Sequence, residues 1–137
     1  MAYQFPSDSW LVAFEDVLNS DERYAKVAAN WEGDITFVIE PDKGSTEPAL
    51  QYYMDLWHGV CRKAYVVPLE DKEARKPKFY LRATRSQFLD VLKGEIEPMQ
   101  AMLTRRLRVE GNMAYMLRHI PTVLDFVRCA RLVEIED

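Results

Sequence analysis

The 137-residue chain predicts an α+β domain, a five-stranded mainly antiparallel sheet with helices packed on one face. Two periodicities and a set of turn signals predict it. Apolar residues recur at helical spacing near both ends of the chain, while the middle alternates apolar and polar residues with the period of a strand. Clusters of Pro, Gly and Asp punctuate the alternating segments at distances that suit hairpins.

Ser7, after Pro6, is placed to cap a helix whose Trp10, Leu11, Phe14, Val17 and Leu18 form one i, i+3/i+4, i+7/i+8 stripe. Asn19 and Glu22 have the spacing of a capping box, which opens a second short helix ending near Asn30. After Gly33 the period changes. Ile35, Phe37 and Ile39 alternate with Thr36, Val38 and Glu40 as a half-buried strand, and 41–49 reads as a turn. Leu50, Tyr52, Met54 and Leu56 alternate with Gln51, Tyr53, Asp55 and Trp57 as a second strand. Residues 61–69 form a third, the charged loop 70–78 follows, and 79–84 form a fourth. Three hairpin-like connections in succession predict an antiparallel meander.

Thr84 with Gln87 opens a helix through Phe88, Leu89 and Leu92 that Gly94 can end. Pro98 suits the first turn of a short helix carrying Met99, Met102 and Leu103. Arg106, Arg108 and Glu110 alternate with Leu107 and Val109 as a fifth strand with one polar face. Asn112 can cap a helix with Met113, Met116, Leu117 and Ile120 on one stripe, and Pro121 admits a last helical segment with Val123, Leu124 and Val127 inward.

An apolar share of 48% and a charged share of 29% fit one globular domain over residues 1–137, with no repeat or linker. No apolar run approaches the roughly 20 residues that span a bilayer. The N-terminal residues lack signal-peptide features, so a cytoplasmic setting is expected, with Cys61 and Cys129 as free thiols. Charge is unevenly spread. Residues 1–58 carry 3 basic and 11 acidic side chains, whereas residues 59–85 carry 8 basic and 3 acidic, and residues 104–118 add 4 basic against 1 acidic. The basic segment is a candidate for transient contact with an anionic membrane. Nucleic acid is not an expected partner, because the net charge is −4 and no recognition motif is present.

Catalytic chemistry finds no site. His58 and Cys61 have a His–x–x–Cys spacing, but a structural zinc needs four ligands and the chain holds 2 His and 2 Cys in all. The 5 glycines are scattered too widely to cradle a phosphate, and no carboxylate falls within an apolar run that would raise its pKa. Neither a metal nor a cofactor is expected. The distinctive feature is a methionine cluster: Met99, Met102, Met113 and Met116 with Phe88, Leu103, Leu117, Ile120 and Leu124. Methionine serves surfaces that adapt to varied apolar partners, yet the same stripe serves as ordinary core. Periodicity cannot separate the two.

Two stretches resemble the sterol carrier protein type 2 family of lipid-binding domains. One is Trp31-Glu32-Gly33-Asp34-Ile35 followed by Tyr53-Met54-Asp55-Leu56, Gly59 and Cys61. The more specific is 88–112, in the order helix, Gly, acidic-Pro pair, helix, basic–apolar strand and terminal Gly. The likeness covers roughly residues 10–130, as in a stand-alone copy of the domain. Thr104 stands where the family commonly has Gly before the basic residues, and Asn112 where it often has Asp.

The resemblance implies an apolar tunnel between sheet and helices, holding a lipid or other apolar small molecule without catalysis and passing it between membranes. It projects a ligand-binding set of Phe37, Met54, Leu56 and Val109 from the strands. From the helices it projects Phe88, Met102, Leu103, Met113, Met116, Leu117 and Leu124. An alternative use of the same fold is an interaction module or homodimer through an aromatic open face of Tyr53, Trp57 and Tyr80. Chemistry on a lipid-like substrate would require His58, Cys61 or His119 to converge in the tunnel.

Overall fold

The computed structural model describes residues 1–68 and 76–136. Ser7 accepts the Trp10 amide and starts α1 (Asp8–Ser20), which buries Trp10, Leu11, Phe14 and Leu18. The expected cap at Asn19 is replaced. Asp21 accepts the Tyr24 amide to open α2 (Glu22–Val27), while Asn19 remains helical and exchanges two hydrogen bonds with the Cys61 backbone. An Asx side chain caps whichever free amide lies within reach, and the extended backbone at Asp21 decides which.

Among the described residues five strands form the sheet, in the order β3-β2-β1-β4-β5. They are β1 (Glu32–Glu40), β2 (Leu50–Trp57), β3 (Val60–Val66), β4 (Phe79–Thr84) and β5 (Arg108–Gly111). β1–β2, β2–β3 and β4–β5 are antiparallel, but β1 and β4 run parallel, with Ile35 opposite Phe79 and Phe37 opposite Leu81. This corrects the four-strand meander: β4 crosses back to the free edge of β1 instead of pairing with β3. Burial explains the choice. β1 buries Ile35 and Ile39 on one face and Thr36 and Val38 on the other, as a strand flanked on both sides must. β3 carries exposed Val60, Arg62 and Lys63, as suits an edge. The connection that crosses over includes the expected loop 70–78, of which 70–75, with Leu69 before it, lie outside the described residues.

Two glycines permit close packing. A Cβ on Gly59 (φ +81°) would lie 2.6 Å from the Ala25 carbonyl oxygen, and one on Gly111 (φ +137°) 2.6 Å from the Lys78 carbonyl oxygen. Thr84 and Gln87 complete the expected capping box of α3 (Arg85–Leu92), and Pro98 opens α4 (Pro98–Leu103). Asn112 accepts the Tyr115 amide to start α5 (Met113–Arg118), and α6 (Ile120–Arg131) follows. The helices cover the sheet face that presents Ile35, Ile39, Met54, Leu56 and Phe79, and the core lies between the layers. Its ends are tied together by Tyr3, whose amide donates to the Glu134 carbonyl and whose carbonyl accepts from Glu136.

The opposite face is closed by its own cross-strand neighbours. Tyr53 packs 5.2 Å from Tyr65, donates its hydroxyl to Asp34 and is 4% exposed. The aromatic surface expected from Tyr53, Trp57 and Tyr80 is therefore interrupted. Trp57 is exposed at its edge, with the Arg62 guanidinium 4.7 Å from its ring.

Candidate functional site

A cavity of about 100 Å3 lies between the sheet and the helices. Its floor is one face of three strands, with Ile35, Phe37 and Ile39 from β1, Tyr52, Met54 and Leu56 from β2, and Phe79 and Leu81 from β4. Register makes that floor, because Ile35 stands beside both Met54 and Phe79, and Phe37 beside both Tyr52 and Leu81. Its roof comes from Trp10 and Phe14 of α1, Phe88 and Val91 of α3, and Val123, Phe126, Val127 and Ala130 of α6. The Phe37 and Phe126 rings stack across the gap at 5.8 Å, and Phe14 meets Phe126 edge-on at 4.9 Å.

The polar atoms around this lining are mostly committed elsewhere. The Tyr52 hydroxyl accepts the Ser7 amide and donates to the Ser7 carbonyl, the Trp31 indole donates to the Gly33 carbonyl, and Thr122 donates to the Val27 carbonyl. Burial holds the Tyr24 and Tyr52 phenols above their ordinary range, so both stay neutral. The exception is Trp10. Its Nε1 is buried with no hydrogen-bond acceptor among the described residues. Such an orphaned donor is costly, and it lies on a ring that lines the cavity.

Of the residues expected at the site, Phe37, Met54, Leu56, Phe88, Met102 and Met116 line this cavity. Leu103, Met113 and Leu117 face a second, outer groove instead, which Met102 and Met116 also line. Val109 and Leu124 line neither. Helix geometry explains the division. α4 buries Pro98 and Ala101, which turns Leu103 to solvent, and the inward stripe of α6 runs through Val123, Phe126, Val127 and Ala130, which leaves Leu124 on the flank. Val109 sits on β5 at the sheet edge, beyond the floor. The parts of the site missing from the sequence reading are the roof from α1 and α6 and the β4 floor. The stripe of α1 was legible as an apolar face, but spacing does not say which surface that face covers.

None of His58, Cys61 and His119 lines the cavity. His58 pairs with Glu32 at 2.6 Å on the surface, His119 stacks on Tyr115 at 4.4 Å, and Cys61 lies buried near Glu15. Burial pushes the Cys61 thiol up to about 12 and the Cys129 thiol up to about 11, so neither is a thiolate at neutral pH. Asp21, Asp125 and Cys129 place one ligand atom each within 4.8 Å of one another. Arginine occupies the role a cation would take there: Arg128 donates to Asp125 at 2.7 Å and to Asp21 at 2.6 Å, and Arg23 reaches Asp125 at 3.2 Å. Among the described residues no helix is long and apolar enough to cross a membrane.

Comparison with known proteins agrees with this architecture. The chain is similar to a crystal structure of sterol carrier protein 2, with a TM-score of 0.83 and 29% identity over 95% of this chain and 99% of that one. It is similar to the solution structure of a conserved hypothetical protein from Thermus thermophilus, described as possibly a sterol carrier protein. There the TM-score is 0.82 and the identity 28%, over 98% of this chain and 93% of that one. Sterol carrier protein 2 from Yarrowia lipolytica shares the fold at 18% identity and a TM-score of 0.56, over 88% of each chain. A search of curated proteins gave no match. The model of the SCP-2 sterol transfer family matches residues 14–123, most of the chain. The chain therefore belongs to the SCP-2 sterol transfer family.

Proposed function

We propose that this protein holds the apolar part of a lipid, such as a sterol or fatty acyl chain, in the cavity between sheet and helices, and passes it between membranes without a covalent step. The observation that carries the reading is the lining: aliphatic and aromatic groups from three strands and several helices, with the nearby hydroxyls tied to backbone groups. Family membership and the two relatives above 25% identity support the same reading.

Energetics fit a carrier. At about 24 cal/mol per Å3, an empty void of about 100 Å3 costs roughly 2 kcal/mol. A domain with about 5–15 kcal/mol of stability can bear that. Each CH2 taken from water contributes about 0.8 kcal/mol, and a bilayer offers nearly the same. Exchange between membrane and protein is then close to balanced. Trp10 refines the ligand class: a hydroxyl or carbonyl oxygen placed at its indole edge would satisfy the orphaned N–H.

Displacement of a fluorescent fatty acid tests the reading. Leu81→Phe adds volume to the floor of the cavity and is expected to weaken probe binding by about tenfold or more, with the thermal midpoint near that of the wild type. A wild type that retains no probe, together with no lipid in organic extracts of the native protein, would sink the proposal.

A further inference from the structure

A groove of about 80 Å3 lies outside the cavity, where α4 meets α5 and the start of α6. Met99, Met102, Met113 and Met116 line it together with Leu103 and Leu117. Leu103 is 82% exposed, Leu117 54% and Met113 40%, so an apolar cluster lies open at the surface. Met102, Met116 and Val123 belong to both linings, which makes these three side chains the wall between groove and cavity. Two of them are methionines, unbranched and easily re-oriented. Swinging them aside would join the two spaces and nearly double the volume.

The flanks of the groove are cationic. Arg105 and Arg106 follow Leu103 in the turn that closes α4, and Arg118 follows Leu117 at the end of α5. All three are exposed, and among the described residues none has a carboxylate partner; the Arg118 guanidinium lies 6.0 Å from the Tyr115 ring, a contact that leaves its charge open to an anion. The other charges of this region are spent: Arg108 pairs with Glu40, and Glu110 with Arg82 at 3.0 Å. Glu97 stands at the N-cap of α4, two residues before Met99 of the groove, so the cationic flank is the C-terminal end of α4 together with the end of α5. In the expected docking segment 59–85, Arg62 pairs with Asp55, Arg82 with Glu110, Arg85 donates to the Phe5 carbonyl, and Lys78 donates to the Glu32 carbonyl. Lys63 and Lys76 have no carboxylate partner among the described residues, but neither belongs to the groove lining.

An open apolar centre flanked by unpaired arginines complements a bilayer, in which anionic headgroups surround an acyl interior. We propose that the methionine groove is the port through which the ligand passes, and that the protein docks there on an anionic lipid bilayer. Leu103 and Leu117 enter the acyl boundary, Arg105, Arg106 and Arg118 meet the headgroups, and Met102 and Met116 form the gate. This rests on the cavity being the ligand site.

The test uses the full chain in two assays. Flotation with vesicles of phosphatidylcholine, with and without phosphatidylserine, reads docking. Equilibrium retention of a fluorescent fatty acid in solution, followed by its transfer to the same vesicles, reads passage. The wild type is expected to float with the phosphatidylserine vesicles. Leu103→Asp/Leu117→Asp and Arg105→Ser/Arg106→Ser/Arg118→Ser are each expected to lower both docking and transfer rate by about tenfold or more, with retention in solution unchanged. Lys63→Ser/Lys76→Ser is expected to match the wild type.

Undiminished docking in the two groove variants overturns the proposal, as does equal flotation of the wild type without phosphatidylserine. Lost retention in the Leu103→Asp/Leu117→Asp variant makes the groove a binding site and overturns the port. Self-association of the wild type that this variant abolishes assigns the groove to a second copy and overturns the membrane. A wild type that floats but retains no fatty acid defeats the cavity reading and leaves docking established.

Discussion

Trp10 was legible in the sequence as the first residue of an apolar stripe, and nothing in the spacing marked its indole nitrogen. Packing against Phe5 at 4.9 Å and Phe14 at 5.1 Å removes that nitrogen from water, and no acceptor comes within reach among the described residues. If the ligand supplies the acceptor, a long-chain alcohol should displace the fluorescent fatty acid better than the alkane of equal length. Trp10→Phe should narrow that preference, because the ring stays large while the donor is gone. Equal displacement by alcohol and alkane in the wild type would remove the polar contact from the ligand description. Leu103 shows the opposite limit. Its place in the methionine cluster was visible, but its outward direction follows from which side of α4 is buried.

Caps were the most legible elements, because a cap is a local hydrogen bond between residues three apart. Ser7, Thr84 and Asn112 all accept the amide expected of them. Asn19 does not, since Asp21 supplies the same group two residues later. The Thr84 box bears on the site, because it starts α3 and so fixes Phe88 and Val91 in the roof. Thr84→Ala is expected to lower stability by about 1 kcal/mol, measured by urea unfolding, with a larger effect on probe binding than a surface cap would have. The parallel pairing of β1 and β4 was not legible. Alternation reports which residues share a face, and it carries no information about which strand lies alongside.

At the scale of the whole molecule, Asp21 ties the start of α2 to α6 through Arg128, and Asp42 ties the β1–β2 connection to α3 through Ser86. The Arg128 guanidinium holds the Asp21 carboxyl below its ordinary 3.8, and the Ser86 amide and hydroxyl do the same for Asp42. A carboxylate depressed in the folded state adds stability that is present above its unfolded pKa and lost as pH falls through the folded value. Thermal midpoints are therefore expected to stay level from neutral pH to about 5 and to fall below about 4. Asp21→Asn should lower the midpoint at neutral pH and reduce the acid-induced drop. An unchanged pH profile in that variant would show that the ion pair does not link the helices energetically.

By itself the sequence determined the layers, the caps at Ser7, Thr84 and Asn112, the inward faces of the strands and, through the resemblance of residues 88–112, the family. Those properties depend on neighbours within a few residues or on a continuous pattern. Only the tertiary structure decided that β4 lies beside β1, that α1 and α6 roof the cavity, and that the methionine cluster divides into an inner wall and an outer groove. Each of those depends on surfaces brought together from distant parts of the chain. Burial is a property of such pairs of surfaces, so no single segment can specify it.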